Sequence, residues 1–546
     1  MAMRRKQAVM SLLAAALMIG TAACSGGNDG GNNAGNNGNG VNQTGNAGAD
    51  SGTIDVQFGS GADPNAEFMA KLQKKTGETW EDNRWTRLYK EKLGVVTHYK
   101  MMYPYADYNT QLKLAITSGD LPDIFPVNDK ADLKQLAEGG AIADMGPVYD
   151  KYASPLLKSI IEAETKSIFD PVTFGGKIYG IPQKMPSTNG YSHLWIREDW
   201  LKKLNLERPK TMDDVYAVAQ AFAKQDPDGN GKADTIGLGL NKDVLYSTRG
   251  LFWGFGAYPD FWLQDAGGKA QYGTVLPEMK QPLELLARMY KEGLLDKEFG
   301  TKDESKEMES AVAGKMGMFY GPHWLAYSVE KTSENDKNAK WIAIPLPGEG
   351  GNPVHIPLDN ATDGYLVANK NFPHPELIVE MLNLYVDTMF GETNRFEEFW
   401  SDGDIDSLWN MGPVHALMPS LDLVGHQDIK QAVADNATDQ LKGVAKGFYK
   451  SMQDGVVGMS MMFGPTDTPF AFVDQSYPDD VIWSAYSGAP TPTMVGSWSS
   501  MGELEATAMT AMIQGKEDVA SGFDKFVDSW NKLGGKQVVE EVNAPQ

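Results

Sequence analysis

Residues 82–103 read DNRWTRLYKEKLGVVTHYKMMY, and the change of rhythm inside that stretch decides the fold. Trp85, Leu88, Tyr89 and Leu93 fall on one side of a helix, and Gly94 stops it. VVTHYKMMY, directly after, reads as a strand. The same alternation spreads outward. TIDVQFG (53–59) reads as a strand, DYNTQLKLAITSGD (107–120) as a helix ending near Gly119, LPDIFPV (121–127) as a strand and ADLKQLAEGG (131–140) as a helix. Strands that alternate with helices predict an α/β lobe on a mostly parallel sheet. Ligands of such sheets lie beyond the carboxyl ends of the strands, which makes Asn128, Asp129 and Lys130 candidate contacts. The middle of the chain, about 191–356, mixes helices with aromatic stretches, and the C-terminal third is more helical; no period of 20–50 residues points to a repeat fold.

A second segment carries metal chemistry. DPDGNGKADTIG (226–237) matches the first nine positions of a calcium loop: Asp226, Asp228, Asn230, the carbonyl of Lys232 and Asp234 as oxygen donors, with Gly231 at the turn. Position twelve, where a bidentate glutamate belongs, is Gly237. Before the loop, Thr211 caps a helix whose first turn holds Asp213 and Asp214; after it, TIGLGL reads as a strand. The expectation is one structural Ca2+ site, with a metal-free Asx-rich turn as the alternative.

Catalytic signatures are missing. The seven histidines form no HExxH, and there is no GxSxG elbow, phosphate loop or complete GxGxxG. Abundant carboxylates leave a glycosidase pair open. The most suggestive pair, Glu198 and Asp199, reads more simply, with Asp199 as the cap of a helix beginning at Trp200. Aromatics are the positive signal, because flat rings match the C–H faces of a sugar while polar side chains take its hydroxyls. The candidates are Trp253 and Trp262 in GLFWGFGAYPDFW (250–262), Tyr320 and Trp324 in GMFYGPHW (317–324), and Trp498 in MVGSWSSMG (494–502).

The start of the chain sets the compartment. Arg4, Arg5 and Lys6 precede an apolar run from Ala8 to Ile19, then small residues and Cys24, the single cysteine of 546 residues. This is a leader over 1–23, with Cys24 placed as the lipid-bearing residue of a lipoprotein. Residues 24–52 form a Gly/Asn-rich tether, since 18 of the 28 residues after Cys24 are Gly or Asn and cannot build a core. A net charge of −23 opposes nucleic-acid binding. The chain is expected as a monomer on the outer face of the cell membrane.

Several motifs, in order, carry a family resemblance: SGDLPDIF (118–125), GGKIYGIP (175–182), LWIREDWLKKLNLERPKTMDDV (194–215), the 226–237 loop, GMFYGPHW, and QGKEDVASGFDKFVDSWNKLGG (514–535). The chain resembles the extracellular solute-binding proteins of ABC sugar importers, family 1, in their long lipoprotein form. The resemblance implies a bilobal, class II periplasmic-binding-protein-like fold: two α/β lobes joined by hinge strands, with a helical C-terminal part. Lobe 1 would hold 53–190 and about 361–412, lobe 2 would hold 191–356 and about 413–546, and the crossings would fall near 185–192 and 356–362. It further implies an oligosaccharide ligand, ABC permease subunits as partners, no catalysis and a structural calcium. Trp324 is similar in place to the family's sugar-stacking tryptophan after a Gly-Pro turn, with His323 inserted before it. Asp129 and Lys130 match a hydroxyl-binding pair at a strand end, and Trp253 lies in a segment similar to an aromatic loop. The readings from other classes are a secreted polysaccharide-degrading lipoprotein and a carrier of another solute such as a peptide.

Overall fold

The structure is a computed structural model that describes residues 52–163, 168–359, 361–402, 405 and 407–544. The leader, Cys24 and the tether before Gly52 lie outside the described residues.

Asn83 caps the helix Arg84–Leu93 by accepting the Trp85 and Thr86 backbone N–H groups, and the Thr86 hydroxyl accepts the Asn83 N–H in return. Gly94 ends the helix at φ 70°, a left-handed conformation that glycine adopts without a Cβ penalty. The next residue opens the strand Val95–Met102. Trp85, on the buried face of this helix, stacks on Tyr385 at 4.5 Å and donates its indole N–H to the Leu408 carbonyl. That contact binds the N-terminal lobe to the returning helix Leu377–Phe390.

The large sheet has five strands in the order Val95–Met102, Ile54–Ser60, Ile124–Val127, Thr362–Ala368, Ile181–Lys184. The first three are parallel, as the alternation predicts. Thr362–Ala368 runs antiparallel to both of its neighbours, and the chain returns to this sheet with it only after building the second one. The second sheet has three antiparallel strands: His193–Arg197 lies between Met318–Gly321 and Trp341–Ile344. Residues 185–192 and 359–361 therefore link strands of the large sheet to strands outside it. The helix Tyr105–Ser118 ends on Gly119, and Lys130–Glu138 follows the third strand.

Both faces of the small sheet are apolar. Leu194, Ile196, Met318, Tyr320, Ile342 and Ile344 belong to a core built with the helices Met212–Lys224, Lys280–Glu292, Pro492–Ile513 and Val519–Lys532. Trp195, Phe319, Trp341 and Ala343, the alternate positions, join a different core. That core also holds the helices Ala326–Val329, Val457–Phe463 and Pro469–Ser476, and it continues into Leu377–Phe390. The C-terminal third thus divides, with the helices of 421–476 sharing a core with the N-terminal lobe and those of 492–542 enclosing the small sheet's other face.

Two local expectations change. Asp199 lies inside the helix Glu198–Lys203, and Arg197 is its first flanking residue. The Asp199 carboxylate takes the buried Arg197 guanidinium at 2.6 and 2.8 Å, a stronger partner than the orphan N–H groups of the helix end. TIGLGL is not a strand. Ile236 and Leu238 make single bridges to Met316 and Leu295, and Gly237 sits too close to a helix for a longer ladder. Among the described residues, no helix is long and apolar enough to cross a membrane.

Candidate functional site

The two crossings floor a gap that holds three adjoining cavities. The central one, about 480 Å3, is lined by residues of both crossings and by Tyr246, Arg249 and Trp253 from the two short helices Val244–Ser247 and Arg249–Gly254. Met185 and Asn189 also line a second cavity of about 390 Å3, walled by Trp324, Tyr327, Trp400 and Trp409. Asp363 also lines a third, about 120 Å3, between Tyr105, Asn128, Gln183 and His415. The result is one groove with aromatic walls at one end and amide groups at the other.

Trp324 follows the strand Met318–Gly321 and Pro322, in a single 3-10 turn His323–Leu325, and remains half-buried. The His323 ring sits edge-on to it at 5.1 Å. Burial pushes the His323 imidazole down to about 3, so it is neutral and acts as an aromatic wall. Trp400 and Trp409 stack at 6.2 Å across the same cavity. Tyr105 and Tyr246 are large aromatics left open, 59% and 44% exposed. Enclosure within the gap still raises both phenols, and Tyr105 is raised further by the charges of Asp363 and Tyr246. These two rings, one from each lobe, are open to a solute at the cavity walls.

Polar groups along the groove are under-used. Asn128 Oδ1, Asn189 Oδ1, Asn410 Oδ1, Arg249 Nε, His323 Nδ1 and Trp400 Nε1 are buried without a hydrogen-bond partner. Unpaired buried polar atoms each cost about 1–3 kcal/mol, so their concentration at one groove marks a place where a hydrogen-bonding guest would repay them. Burial would raise Asp363, but the His415 imidazole 3.5 Å away outweighs it and holds the carboxyl below its ordinary value.

The structure brings Trp253, Trp324 and Asn128 to the groove. Five other candidates lie outside the lining of the three cavities. Asp129 is spent as a helix cap, accepting the Ala131 N–H at 2.8 Å and the Asp132 N–H at 3.4 Å, with Lys113 Nζ at 3.5 Å. Lys130 is the first residue of that helix. Tyr320 points into the small sheet's core at 2% exposure, because the alternation of its strand sends it there. Trp262 and Trp498 stack on one another at 6.4 Å and meet Tyr272 at a tilt at 5.3 Å and edge-on at 5.1 Å, as lobe packing. Tyr105, Tyr246, Arg249, Trp400 and Trp409 were missed. Tyr105 was within reach, since it follows Pro104 just past the carboxyl end of a strand. The others come together only through tertiary packing.

Far from the groove, the 226–237 loop gathers its oxygens. Asp226 accepts the Asn230 and Gly231 N–H groups at 2.9 and 3.0 Å. The Asn230 amide donates to Asp228 at 2.7 Å and to Asp234 at 3.0 Å. Lys315 Nζ stands 3.3 Å from Asp228 and 2.9 Å from Asp234. Among the described residues no three His, Cys, Asp or Glu side chains form a ready-made metal cluster. The mixed set of carboxylates, amide and carbonyl nevertheless suits a hard cation, with the Lys315 ammonium occupying the charge-neutralising position. Gly237 shows why position twelve carries no glutamate, because a Cβ there would stand 2.2 Å from the Ala219 carbonyl oxygen.

Two lobes, two crossings and a groove of rings and unpaired polar atoms between them define a two-lobed solute-binding protein. The chain belongs to the family of bacterial extracellular solute-binding proteins, whose model matches residues 62–388. It is a binding protein, not an enzyme. It is 31% identical over 223 residues to the polygalacturonan/rhamnogalacturonan-binding protein YtcQ of Bacillus subtilis, a match covering 40% of this chain and 42% of that one. It is 26% identical over 375 residues to the fructooligosaccharide ABC transporter substrate-binding protein FusA of Streptococcus pneumoniae, covering 64% and 62%. The fold is similar to FusA in complex with kestose (TM-score 0.58, 18% identity, 90% of this chain and 98% of that one). It is also similar to an HMO-binding solute-binding protein from Bifidobacterium longum infantis (TM-score 0.61, 17% identity, 90% and 98%).

Proposed function

We propose that this protein captures an oligosaccharide in the groove between its lobes and delivers it, unaltered, to the permease subunits of an ABC importer. The observation that carries this reading is the groove itself, where Trp253, Trp324, Trp400, Trp409, Tyr105 and Tyr246 line the cavities beside buried polar atoms that lack partners. Stacking and hydrogen bonding are the two interactions a pyranose supports at once. The names of the sequence relatives, a polygalacturonan/rhamnogalacturonan binder and a fructooligosaccharide binder, support the same class of ligand.

The lobes divide as 53–190 with about 361–412, and 191–356 with about 413–546, the helices of 421–476 lying against both. The crossings at 185–192 and 356–362 act as the hinge. A ligand that touches walls from both lobes favours the closed form, and only that difference in affinity drives closure. Cys24 carries the lipid anchor, the protein works as a monomer on the outer face of the membrane, and the tether spans roughly 30 Å by random-coil scaling. One Ca2+ is held by Asp226, Asp228, Asn230, the Lys232 carbonyl and Asp234, with Lys315 swinging aside, and it clips the loop between a helix and the small sheet.

The test is a calorimetric and thermal-shift panel of oligosaccharides and peptides, with a chromatographic check that the sugar is recovered intact. Saturable binding of at least one oligosaccharide without turnover is expected. Binding of peptides alone, or new reducing ends, would overturn the reading. Chelator is expected to lower the melting temperature by a few degrees and calcium to restore it, by the mass-action stabilisation that a ligand of the folded state provides.

A further inference from the structure

Arg249 lines the central cavity and lacks what every other described arginine has. Arg84, Arg87, Arg197, Arg208, Arg288 and Arg395 each pair with a carboxylate at 3.2 Å or closer. Arg249 pairs with none, in a chain with 72 acidic residues. Its guanidinium lies over the Tyr246 ring at 4.6 Å and the Trp253 ring at 5.3 Å. Its Nη2 reaches only the Tyr191 carbonyl, at 3.5 Å, and its Nε makes no hydrogen bond. Rings on its faces hold the guanidinium by cation–π attraction and leave its edges, where the N–H groups are, for something else.

The other charged groups of this cavity are engaged. The Asp359 carboxylate takes the Ser487 hydroxyl at 2.5 Å, Asp363 faces His415, and Asp260 takes the Tyr272 hydroxyl at 2.9 Å. None of them is within ion-pair distance of Arg249; the charge of Glu304 acts on it without an ion-pair contact, so its N–H edge gains no carboxylate partner from the protein. Burial already pushes the Arg249 guanidinium down from its ordinary value. A neutral saccharide would leave it so. A saccharide bearing an anion would supply two charge-assisted hydrogen bonds to its planar fork.

We infer that Arg249 reads a carboxylate on the bound sugar, so that the ligand is a uronate-bearing oligosaccharide. This rests on the oligosaccharide reading above and narrows it. The overall negative charge of the chain works against long polyanions, which selects short acidic oligomers that place one carboxylate at Arg249.

The experiment is calorimetry with three trisaccharide probes on the full chain: a galacturonate trimer, the same trimer as its methyl ester, and a sulfated neutral trimer. They are measured against the native protein, Arg249→Gln and Arg249→Lys. The acid is expected to bind the native protein more tightly than the ester by about tenfold or more, the scale of one charge-assisted contact. Arg249→Gln should erase that preference while still binding the ester, which also shows that the variant is folded; Arg249→Lys should retain part of it. Equal affinity for acid and ester, or a preference that survives in Arg249→Gln, would overturn the inference and leave the oligosaccharide reading standing. A gain by the sulfated probe equal to that of the acid would overturn the uronate assignment. Failure of all three probes, with a neutral oligosaccharide bound in the wider panel, would refute the inference alone. Failure of every saccharide would remove both.

Discussion

Two clusters of aromatic rings, built from the same residue types, meet opposite fates in this molecule. Trp262, Tyr272, Trp498 and Trp530 form one inside the C-terminal lobe, with Tyr272 stacked on Trp530 at 5.7 Å. Trp253, Trp324, Trp400 and Trp409 form the other along the interlobe groove. In the first cluster, rings fill rings and helices close the outside. In the second, Trp324 and Trp409 are partly open beside a void, Trp400 is stacked between Phe396 and Trp409, and Trp253 lies under the Arg249 guanidinium, so packing rings and cavity wall are the same residues. An aromatic residue is thus assigned to ligand or to core by what its open face meets, not by its type or by its neighbours in sequence.

Substitutions in the two clusters should therefore separate stability from affinity. The largest effect is expected from Trp530→Ala, since this ring is 1% exposed and Gly535 leaves room for it, a Cβ there standing 1.9 Å from the indole. A loss of about 3–5 kcal/mol in denaturant unfolding, as for other buried tryptophans, with residual folded protein still binding sugar, would sharpen the contrast. An equal loss of affinity in the folded fraction would break it. Trp324→Ala should do the reverse, costing about tenfold in sugar affinity while the unfolding midpoint stays nearly fixed. Unchanged calorimetric affinity would take Trp324 out of the site.

The third contrast is in pH. The Tyr272 hydroxyl lies 2.9 Å from Asp260 and 3.4 Å from Glu505, at the join between the core cluster and the groove. Burial, then the neighbouring Asp260 charge, pushes Glu505 from its ordinary 4.5 to about 9. Between those values the folded protein holds a proton that the unfolded chain releases. This contribution to stability is complete below the ordinary carboxylate range and is lost as pH rises towards 9. Melting temperatures taken from pH 7 to 9, above the range where the buried His193 and His323 act in the opposite sense, should fall, and Glu505→Gln should flatten the slope, leaving chiefly the part due to Glu307, which burial pushes to about 8. A slope unchanged in Glu505→Gln would show that the pair carries its charge without cost. The smallest effect is expected for Tyr246→Phe, about threefold or less in affinity, because the ring face remains and only one hydroxyl contact is lost; a larger drop would place that hydroxyl at the centre of recognition.

Much of the fold was legible because local chemistry repeats itself. Gly94, Gly119 and Thr211 mark helix ends by side-chain hydrogen bonds or left-handed backbone, effects that act over a few residues. The antiparallel entry of Thr362–Ala368 was not legible, since nothing within that strand records which neighbours it joins. The groove was legible in part. Trp324 stands at a strand end with a Gly-Pro turn before it, whereas Asp129 looks identical in sequence whether it binds a hydroxyl or caps a helix. Arg249 shows the limit most clearly, because its significance is the lack of an acidic partner, which only the packed chain reveals.

The late return of Thr362–Ala368 bears on the order in which the chain takes shape during synthesis. This strand sits between Ile124–Val127 and Ile181–Lys184, so the first lobe stays open until a segment made some 180 residues later arrives. A nascent chain that has reached only Leu358 would present two bare strand edges, which invite pairing with other chains, and closing so long a loop slows folding. Export ahead of folding would suit such a design, because the whole polypeptide would then be at hand when the lobes assemble.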